Sequence, residues 1–357
     1  MLYNYVSLFM KNSKISVLQI YLLTTLISIG LLVFVGLKAG LVALFITLVL
    51  VGLEITFSVD NAVVNTKILE KMNPAWQKAF LTIGVVIAVF GVRVLFPLLL
   101  VAIASGISVG QVVELALHRP ESYASELEHA HPIISAFGGI FLFMIFLDFF
   151  FESRRTKWLV RLETILEKAG KLESISVVLA LVVLLTISIT LPYEIQHMTL
   201  LSGLIGLAVY LMINSLDTLL EKSNINKELQ ASSKSAFKAG LIGFLYLNVL
   251  DASFSLDGVI GAFAITNKIL LIAVGLGIGA LYVRVITIHM LSKGVLSRYL
   301  YIEHGAHYAI GILAILMLTS LKVDVPEVVA GLAGLIFVGT AFWHSYLKQS
   351  KSPASTN

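Results

Sequence analysis

Apolar runs of about 20 residues recur along almost the whole chain, and each is long enough for an α-helix to cross the hydrocarbon core of a bilayer. Hydrophobic residues make up 58% of the 357 residues and charged residues only 13%, which is too little charge to cover a water-facing surface. The chain is therefore predicted to be an all-α, polytopic membrane protein. Nucleic-acid binding and cytosolic catalysis are excluded as function classes.

Hydropathy predicts a bundle of about ten transmembrane helices. The predicted spans are 15–36, 40–66, 79–103, 133–151, 175–191, 198–220, 236–265, 269–292, 305–321 and 327–347. The tail at 348–357 is polar and rich in small residues, so it is predicted to be disordered.

The basic residues predict the orientation of the spans. With ten helices, 19 of the 25 Lys and Arg residues fall on the side of the N-terminus and four on the opposite side. Because cytoplasmic loops carry the excess of positive charge, both termini are expected in the cytoplasm. An outer loop is then predicted at 105–132 and a basic cytoplasmic loop at 152–174.

A motif is repeated within the chain. EITFSVDNAVV begins at Glu54 and DASFSLDGVIG at Asp251, and each copy is followed by VRV in an apolar span, at Arg93 and Arg284. The copies lie five spans apart, and an odd offset inverts the second copy in the membrane. Chance similarity between apolar helices is the alternative. The pattern predicts an inverted 5+5 repeat, with halves at 1–192 and 193–347, an architecture of secondary transporters.

Four acids lie within the repeated motifs, and each would cost on the order of 3 kcal/mol at the centre of a span unless it is neutralised. They are Glu54, Asp60, Asp251 and Asp257. With Arg93 and Arg284 they leave a formal charge of −2, which one divalent cation would balance. Alternatively, the acids form salt bridges with the two arginines, carry protons in a relay, or lie nearer an interface.

Helical periodicity of about 100° per residue separates the acids of one copy. Glu54, Ser58, Asn61 and Asn65 form one stripe, whereas Asp60 lies about 120° away. Either the helix unwinds around 58–61, which Gly258 would ease in the second copy, or each repeat contributes one acid to a shared site. The preferred arrangement has Asp60 and Asp257 facing each other across the pseudo-twofold axis, with Glu54 and Asp251 flanking them.

Carboxylate and amide oxygens suit hard divalent cations, and the chain has no cysteine for a soft metal. No phosphate-binding loop of the form GxxxxGK[ST] occurs, so transport would depend on gradients or on another subunit. The candidate metal ligands are Glu54, Asp60, Asn61, Asp251 and Asp257, supported by Ser58, Ser255, Arg93 and Arg284.

Two weaker patterns have structural explanations. Glu303, His304 and His307 in EHGAH are expected to form a hydrogen-bonded interfacial cluster, with a metal gate as the alternative. Gly275, Gly277 and Gly279 lie within a span, so they predict close helix packing rather than nucleotide binding.

At these motifs the chain resembles the TerC family of integral membrane proteins. The matching stretches are LEITFSVDNAVV from Leu53, LDASFSLDGVIGAFAIT from Leu250 and LYVRV up to Val285, while EHGAHYAIG from Glu303 is similar to a long bacterial branch of that family. The resemblance implies a role in metal-ion homeostasis, with manganese or calcium export, and distant kinship to amino-acid exporters. Gly258 departs from the Ser found in many relatives.

The expected function is export of a divalent cation by alternating access through a midplane carboxylate site. Mn²⁺ is favoured as the substrate, with Ca²⁺ as the alternative, and no organic cofactor or enzymatic activity is expected. The expected partners are the bilayer and the metal ion, and a homo-oligomer or a membrane partner is compatible with the sequence. The alternatives are a membrane scaffold or chaperone for metal delivery or protein insertion, and an exporter of amino acids or small cationic solutes.

Overall fold

The structure, a computed structural model, describes residues 17–172, 174–224, 233–266, 268–323 and 325–351, which form helices without any strand. We number the α-helices in chain order. They are α1 Val17–Phe57, α2 Val59–Lys71, α3 Pro74–Val86, α4 Phe96–Ser105, α5 Val109–His118, α6 Pro120–Phe151, α7 Val160–Ala169, α8 Ile175–Ile189, α9 Tyr193–Asn224, α10 Ser233–Ile265, α11 Ile269–Lys293, α12 Val295–Arg298, α13 Ile302–Ser320 and α14 Glu327–Lys351. A π-helical segment, Ile87–Leu95, joins α3 to α4.

The prediction of an all-α polytopic bundle is confirmed, because six helices of the described part are long and apolar enough to cross a membrane. Two shorter apolar stretches, Ile175–Ile189 and Gly240–Ser255, accompany them. Each of the ten predicted spans is helical over its described residues, except at Ser58 and at the C-terminal ends of the fifth and ninth spans. The predicted tail differs in part: α14 continues to Lys351, and 352–357 lie outside the described residues.

Helix α1 reverses direction at Gly40. Tyr21 contacts His289 near the C-terminus of α11, and Val35 packs with Leu271 near its N-terminus. The chain then returns along α11, because Leu50 lies against Gly275 and Glu54 against Gly279. Gly40 has φ 88° and ψ 175°, a conformation that is accessible almost only to glycine. The two spans predicted on either side of Gly40 are thus two arms of a hairpin that both pack on α11.

The segment 105–132 was expected to be an outer loop, but helix α5 and the first turns of α6 occupy most of it. Ser108 and Gln111 form a capping box that starts α5, and Pro120 starts α6 in the first helical turn, where its missing N–H costs nothing. Pro132 lies within α6 without ending it. The capping residues therefore determine where the helices of this segment begin. The acidic composition of the segment does not show that it is helical.

Helix α6 lies at the centre of the largest apolar core. Ile140, Phe141 and Met144 are fully buried there, and α9 and α13 contribute Tyr210 and Ile310. A second apolar cluster packs the second arm of α1, α4, α5 and the first half of α6 against α10 and α11, with Leu50, Leu127 and Leu276 among its members. The repeated motifs lie between these two clusters.

One end of the bundle collects the basic loops, and we call it the basic end. Lys67 bonds Glu303 at 2.9 Å, Arg154 lies 3.6 Å from the same carboxylate, and Lys348 donates to the Tyr301 hydroxyl at 2.8 Å. Side chains assigned to the side of the N-terminus from the sequence therefore meet in space.

Candidate functional site

The two repeated motifs cross each other in opposite directions. The Asn61 side-chain amide donates to Asp251 Oδ1 at 2.8 Å, and a Cβ at Gly258 would lie 3.3 Å from Glu54 Oε2. As the chain advances from Glu54 to Asn61 in the first motif, the contacted residue in the second moves back from Gly258 to Asp251. The register that aligns Glu54 with Asp251 also aligns Asn61 with Gly258, so a twofold rotation exchanges these two contacts. The motifs have the antiparallel relation that an inverted repeat requires.

Glu54 is 3% exposed and forms an ion pair with the buried Arg93. Ser58, one turn later on the same helix, donates to Glu54 Oε1 at 3.0 Å. The carboxylate can approach α11 closely because Gly279 leaves room for the Glu54 side chain. The glycine run was expected to serve close packing, and Gly275 does the same against Leu50. Glu54 is thus neutralised within its own repeat.

Arg93 reaches Glu54 from the π-helical segment. In a π-helix the backbone hydrogen bonds join residues five apart, instead of four apart as in an α-helix. The side-chain Nη1 of Arg93 donates to the Ala88 carbonyl, also five residues earlier, at 2.7 Å. Pro97, which has no backbone N–H to continue the ladder, follows at the start of α4. The sequence shows this proline but not the π-helix, so this feature was not predicted.

Asp251 is 3% exposed and repeats the arrangement with Arg284, at 3.1 Å. The Arg284 guanidinium also stacks over the Phe80 ring at 3.7 Å and donates to the Gly84 carbonyl at 3.5 Å. Arg284 is thereby held by α3 of the first repeat as well as by α10 of the second. The salt-bridge alternative that the sequence left open is present in both copies.

The first acids of the two copies, Glu54 and Asp251, accept hydrogen bonds from different residues besides their arginines. Aspartate is one methylene shorter than glutamate, and Ser255, at the position of Ser58, has no hydrogen-bond partner for its hydroxyl among the described residues. Asp251 instead receives the amide of Asn61, which has no counterpart in the second copy because Gly258 stands there. The departures from symmetry compensate each other.

Asp60 lies on a different face of α2. It is 4% exposed, and the hydrogen bond it accepts is from the backbone N–H of Asn61, at 2.9 Å. Its carboxyl group lies against Gly334 of α14. A Cβ added to Gly334 would lie 3.9 Å from Asp60 Oδ2 and 4.0 Å from Ala309 Cβ of α13. No Lys, Arg or His side chain of the described part forms a salt bridge with Asp60. This carboxylate is therefore buried without a cation.

The geometry places one of the two acids that were expected to face each other. Asp60 faces α14, whereas Asn61 and Glu54 meet the second motif; the Asp257 side chain lies outside the described part. The expected unwinding is limited to Ser58, whose ψ of 14° separates α1 from α2, and α10 runs through Gly258 without interruption. Among the described residues no group of three His, Asp or Glu side chains could hold a metal.

Other polar atoms in this interface are buried without a partner among the described residues. Neither side-chain atom of Asn65, which is 1% exposed, is hydrogen-bonded, and the same is true of Asn61 Oδ1, Arg93 Nε and Arg284 Nη1. Buried polar groups are usually satisfied, so these atoms are exceptions within the described part of the chain.

A second charged cluster lies at the basic end. Glu163 of α7 is 4% exposed and accepts from the backbone N–H groups of Trp158 and Leu159 and from the Tyr308 hydroxyl, while His304 Nε2 lies 3.5 Å away. His307 stacks on Phe149 with ring centroids 3.6 Å apart. The EHGAH motif thus forms the hydrogen-bonded cluster expected of it.

Glu163 was missed by the sequence analysis, although an acid in the first turn of a helix is favoured by the helix dipole. Nearby, Lys157 pairs with Glu167. The hydrogen bonds from Lys157 and from Ser153 lower the pKa of the Glu167 carboxyl below its usual value. Glu163 and Glu167 are therefore both held by contacts within the protein.

Comparison with known proteins gives one match. A family model described as "Protein of unknown function (DUF475)" matches residues 59–352. No curated protein and no solved structure matches the chain.

Proposed function

The chain belongs to the DUF475 family, and we propose that it carries a divalent cation across the membrane, with Mn²⁺ as the favoured substrate and Ca²⁺ as the alternative. The observation that supports the proposal is Asp60, a carboxylate that is buried between α2, α13 and α14 without a cationic partner in the described part. An ionisable residue inside a span is costly unless it is paired, and it marks an ion pathway by default.

The charge balance of the motifs supports a divalent ion. Glu54 and Asp251 are neutralised by Arg93 and Arg284, so the formal charge of −2 belongs to Asp60 and Asp257. We propose Asp60 as an acid that binds the substrate, with Asp257 as the second candidate, and we assign the two arginine pairs to neutralising Glu54 and Asp251. Oxygen ligands from carboxylates, amides and backbone carbonyls suit Mn²⁺ and Ca²⁺.

The direction of transport and the location follow from the TerC resemblance and from the basic end. We propose export from the cytoplasm of a bacterium, with the basic end facing inward and the protein in the plasma membrane. Alternating access would move one repeat against the other around the crossing of the two motifs.

The test is the metal content of cells that express the protein, measured for a panel of divalent ions. We expect cellular manganese, or calcium, to fall when the wild type is expressed and to remain at the control level with Asp60→Asn. Asparagine keeps the shape of the side chain and its acceptor for the Asn61 N–H, so the variant should insert normally.

Asp148→Asn is the matched control. Asp148 also lies in a transmembrane helix, but it accepts a hydrogen bond from the Tyr210 hydroxyl at 2.6 Å, far from Asp60 in the sequence and on another helix. This variant should lower the metal content as the wild type does. Unchanged metal content with the wild type, or full activity of Asp60→Asn, would contradict the proposal. Resistance to a toxic cationic amino acid would favour the exporter alternative, and a co-purifying membrane protein would favour the scaffold.

A further inference from the structure

The acidic and the basic side chains of helix α7 lie on opposite faces of the helix. Its acids turn toward the protein, Glu163 into the cluster with Tyr308 and His304, and Glu167 into the pair with Lys157. Its basic residues Arg161 and Lys168 are exposed on the outward face. The outward face therefore carries positive charge and no acid.

The same outward face is apolar. Leu162 and Ile165 are 44% and 64% exposed, and Leu172 just beyond the helix is 63% exposed. A helix that meets water shows the opposite pattern, with its apolar side chains against the protein. Apolar and basic side chains together on one exposed face are typical of helices that lie in the plane of a membrane surface.

The packing of α7 places it beside the bundle rather than on top of it. Leu166, on the inward face, joins an aromatic cluster with Phe150 and Tyr308. Tyr308 lies six residues into α13, which at about 1.5 Å per residue is about 9 Å from the helix start. Trp158 and Phe337 complete this cluster, and such aromatic side chains are enriched at the level of the lipid headgroups.

We propose that α7 is an interfacial helix that binds anionic phospholipids, with Leu162 and Ile165 in the boundary between headgroups and acyl chains and Arg161 and Lys168 on the lipid phosphates. The occupant follows from charge complementarity, since the face holds basic residues and no carboxylate. Long basic side chains can extend from an apolar surface to the headgroups. The inference is independent of the proposed transport function.

Spin labelling tests the position of the helix. The chain has no cysteine, so Ile165→Cys and Leu162→Cys give single labelling sites without background. In nanodiscs of phosphatidylcholine and phosphatidylglycerol we expect labels at 162 and 165 to collide more with oxygen than with a water-soluble nickel chelate. A label at Glu152→Cys, whose native side chain is 67% exposed, should show the reverse.

Two outcomes of this experiment would overturn the proposal. Labels at 162 and 165 that are as open to the nickel chelate as the label at 152 would place the face in water. Labels screened from both reagents would mean that protein covers the face, either a second copy or a partner. Both labelled positions are exposed, so the substitutions should not disturb folding.

Lipid binding tests the charge. Because each basic residue near an anionic surface contributes about fivefold in affinity, Arg161→Gln with Lys168→Gln should weaken binding of phosphatidylglycerol to the purified full chain about 25-fold. Native mass spectrometry with titrated lipid provides the measurement. The matched double variant, Lys268→Gln with Lys322→Gln, removes two exposed basic residues at the opposite end and should bind as the wild type does. Equal losses in both double variants would refute a specific role for α7.

Discussion

The buried pair of Asp251 and Arg284 predicts that removing one charge lowers the free energy of unfolding strongly. Both side chains are about 3% exposed, and their charged atoms are 3.1 Å apart. With charge centres about 4 Å apart and an effective dielectric constant of about 20, their attraction is about 4 kcal/mol. Replacing Arg284 with Met leaves Asp251 buried with only the Asn61 amide, so we expect a loss of about 3–5 kcal/mol in the free energy of unfolding.

The double variant should recover most of this loss. Asp251→Asn combined with Arg284→Met removes both charges and keeps similar side-chain volumes, so its stability should lie within about 1–2 kcal/mol of the wild type. The coupling energy between the two side chains, obtained from the wild type, the two single variants and the double variant, is then about 3 kcal/mol or more. Thermal or denaturant unfolding of the detergent-solubilised protein, followed by the fluorescence of its tryptophans, gives the four free energies.

The pair of Glu152 and Arg154 provides the control for this cycle. Its distance is 2.7 Å, but the glutamate side chain is 67% exposed, so solvent screening should keep its coupling below about 1 kcal/mol. Additive effects at Asp251 and Arg284, within about 0.5 kcal/mol, would show that burial does not strengthen the pair and would refute the reasoning.

Three further predictions concern packing and polar contacts. Gly279→Ala should destabilise the protein by about 1–3 kcal/mol, because the new methyl group would overlap the Glu54 side chain. The control Gly277→Ala, whose new Cβ would have its nearest neighbour at 3.4 Å, should unfold like the wild type. Equal unfolding temperatures for the two variants would contradict this prediction. Glu163→Gln should weaken hydrogen bonds to a charged acceptor, each worth about 1.5–3 kcal/mol, and should raise amide hydrogen exchange over 153–172; unchanged exchange would mean that Glu163 does not anchor this segment. Asn65→Leu should leave the unfolding temperature unchanged or raise it, because both polar atoms of Asn65 lack partners; a lower temperature would show that Asn65 binds a species that stabilises the fold.

The members of the two buried ion pairs were identified from the sequence. The repeated acid-Ser-Asp pattern and the two VRV arginines pointed to Glu54, Asp251, Arg93 and Arg284, and the structure brings these four together in two buried pairs. Apolar residues in a span require no explanation, whereas an ionisable residue does, so such residues stand out in one sequence. The odd offset of five spans from one copy to the other also predicted their opposite directions.

The role of Asp60 could not be predicted in the same way. The helical angle between Asp60 and Asn61 was known, but not which helix each face would meet. The structure turns Asn61 toward Asp251 and Asp60 toward Gly334, contacts separated by 190 residues in one case and more in the other. The π-helix that carries Arg93 and the contact of Glu163 with Tyr308 likewise depend on distant parts of the chain.

The amino-acid sequence alone determined that this chain is a polytopic membrane protein and which few side chains need a charged or polar partner among its helices. The tertiary structure alone decided which partner each of them has. The physical reason is that lipid is as apolar as a protein interior, so a membrane helix does not need a polar outer face, and its hydrophobic pattern does not reveal which side meets another helix. Helix contacts such as those of Gly279 with Glu54 are fixed by close packing of complementary shapes. These shapes form only when the helices are assembled.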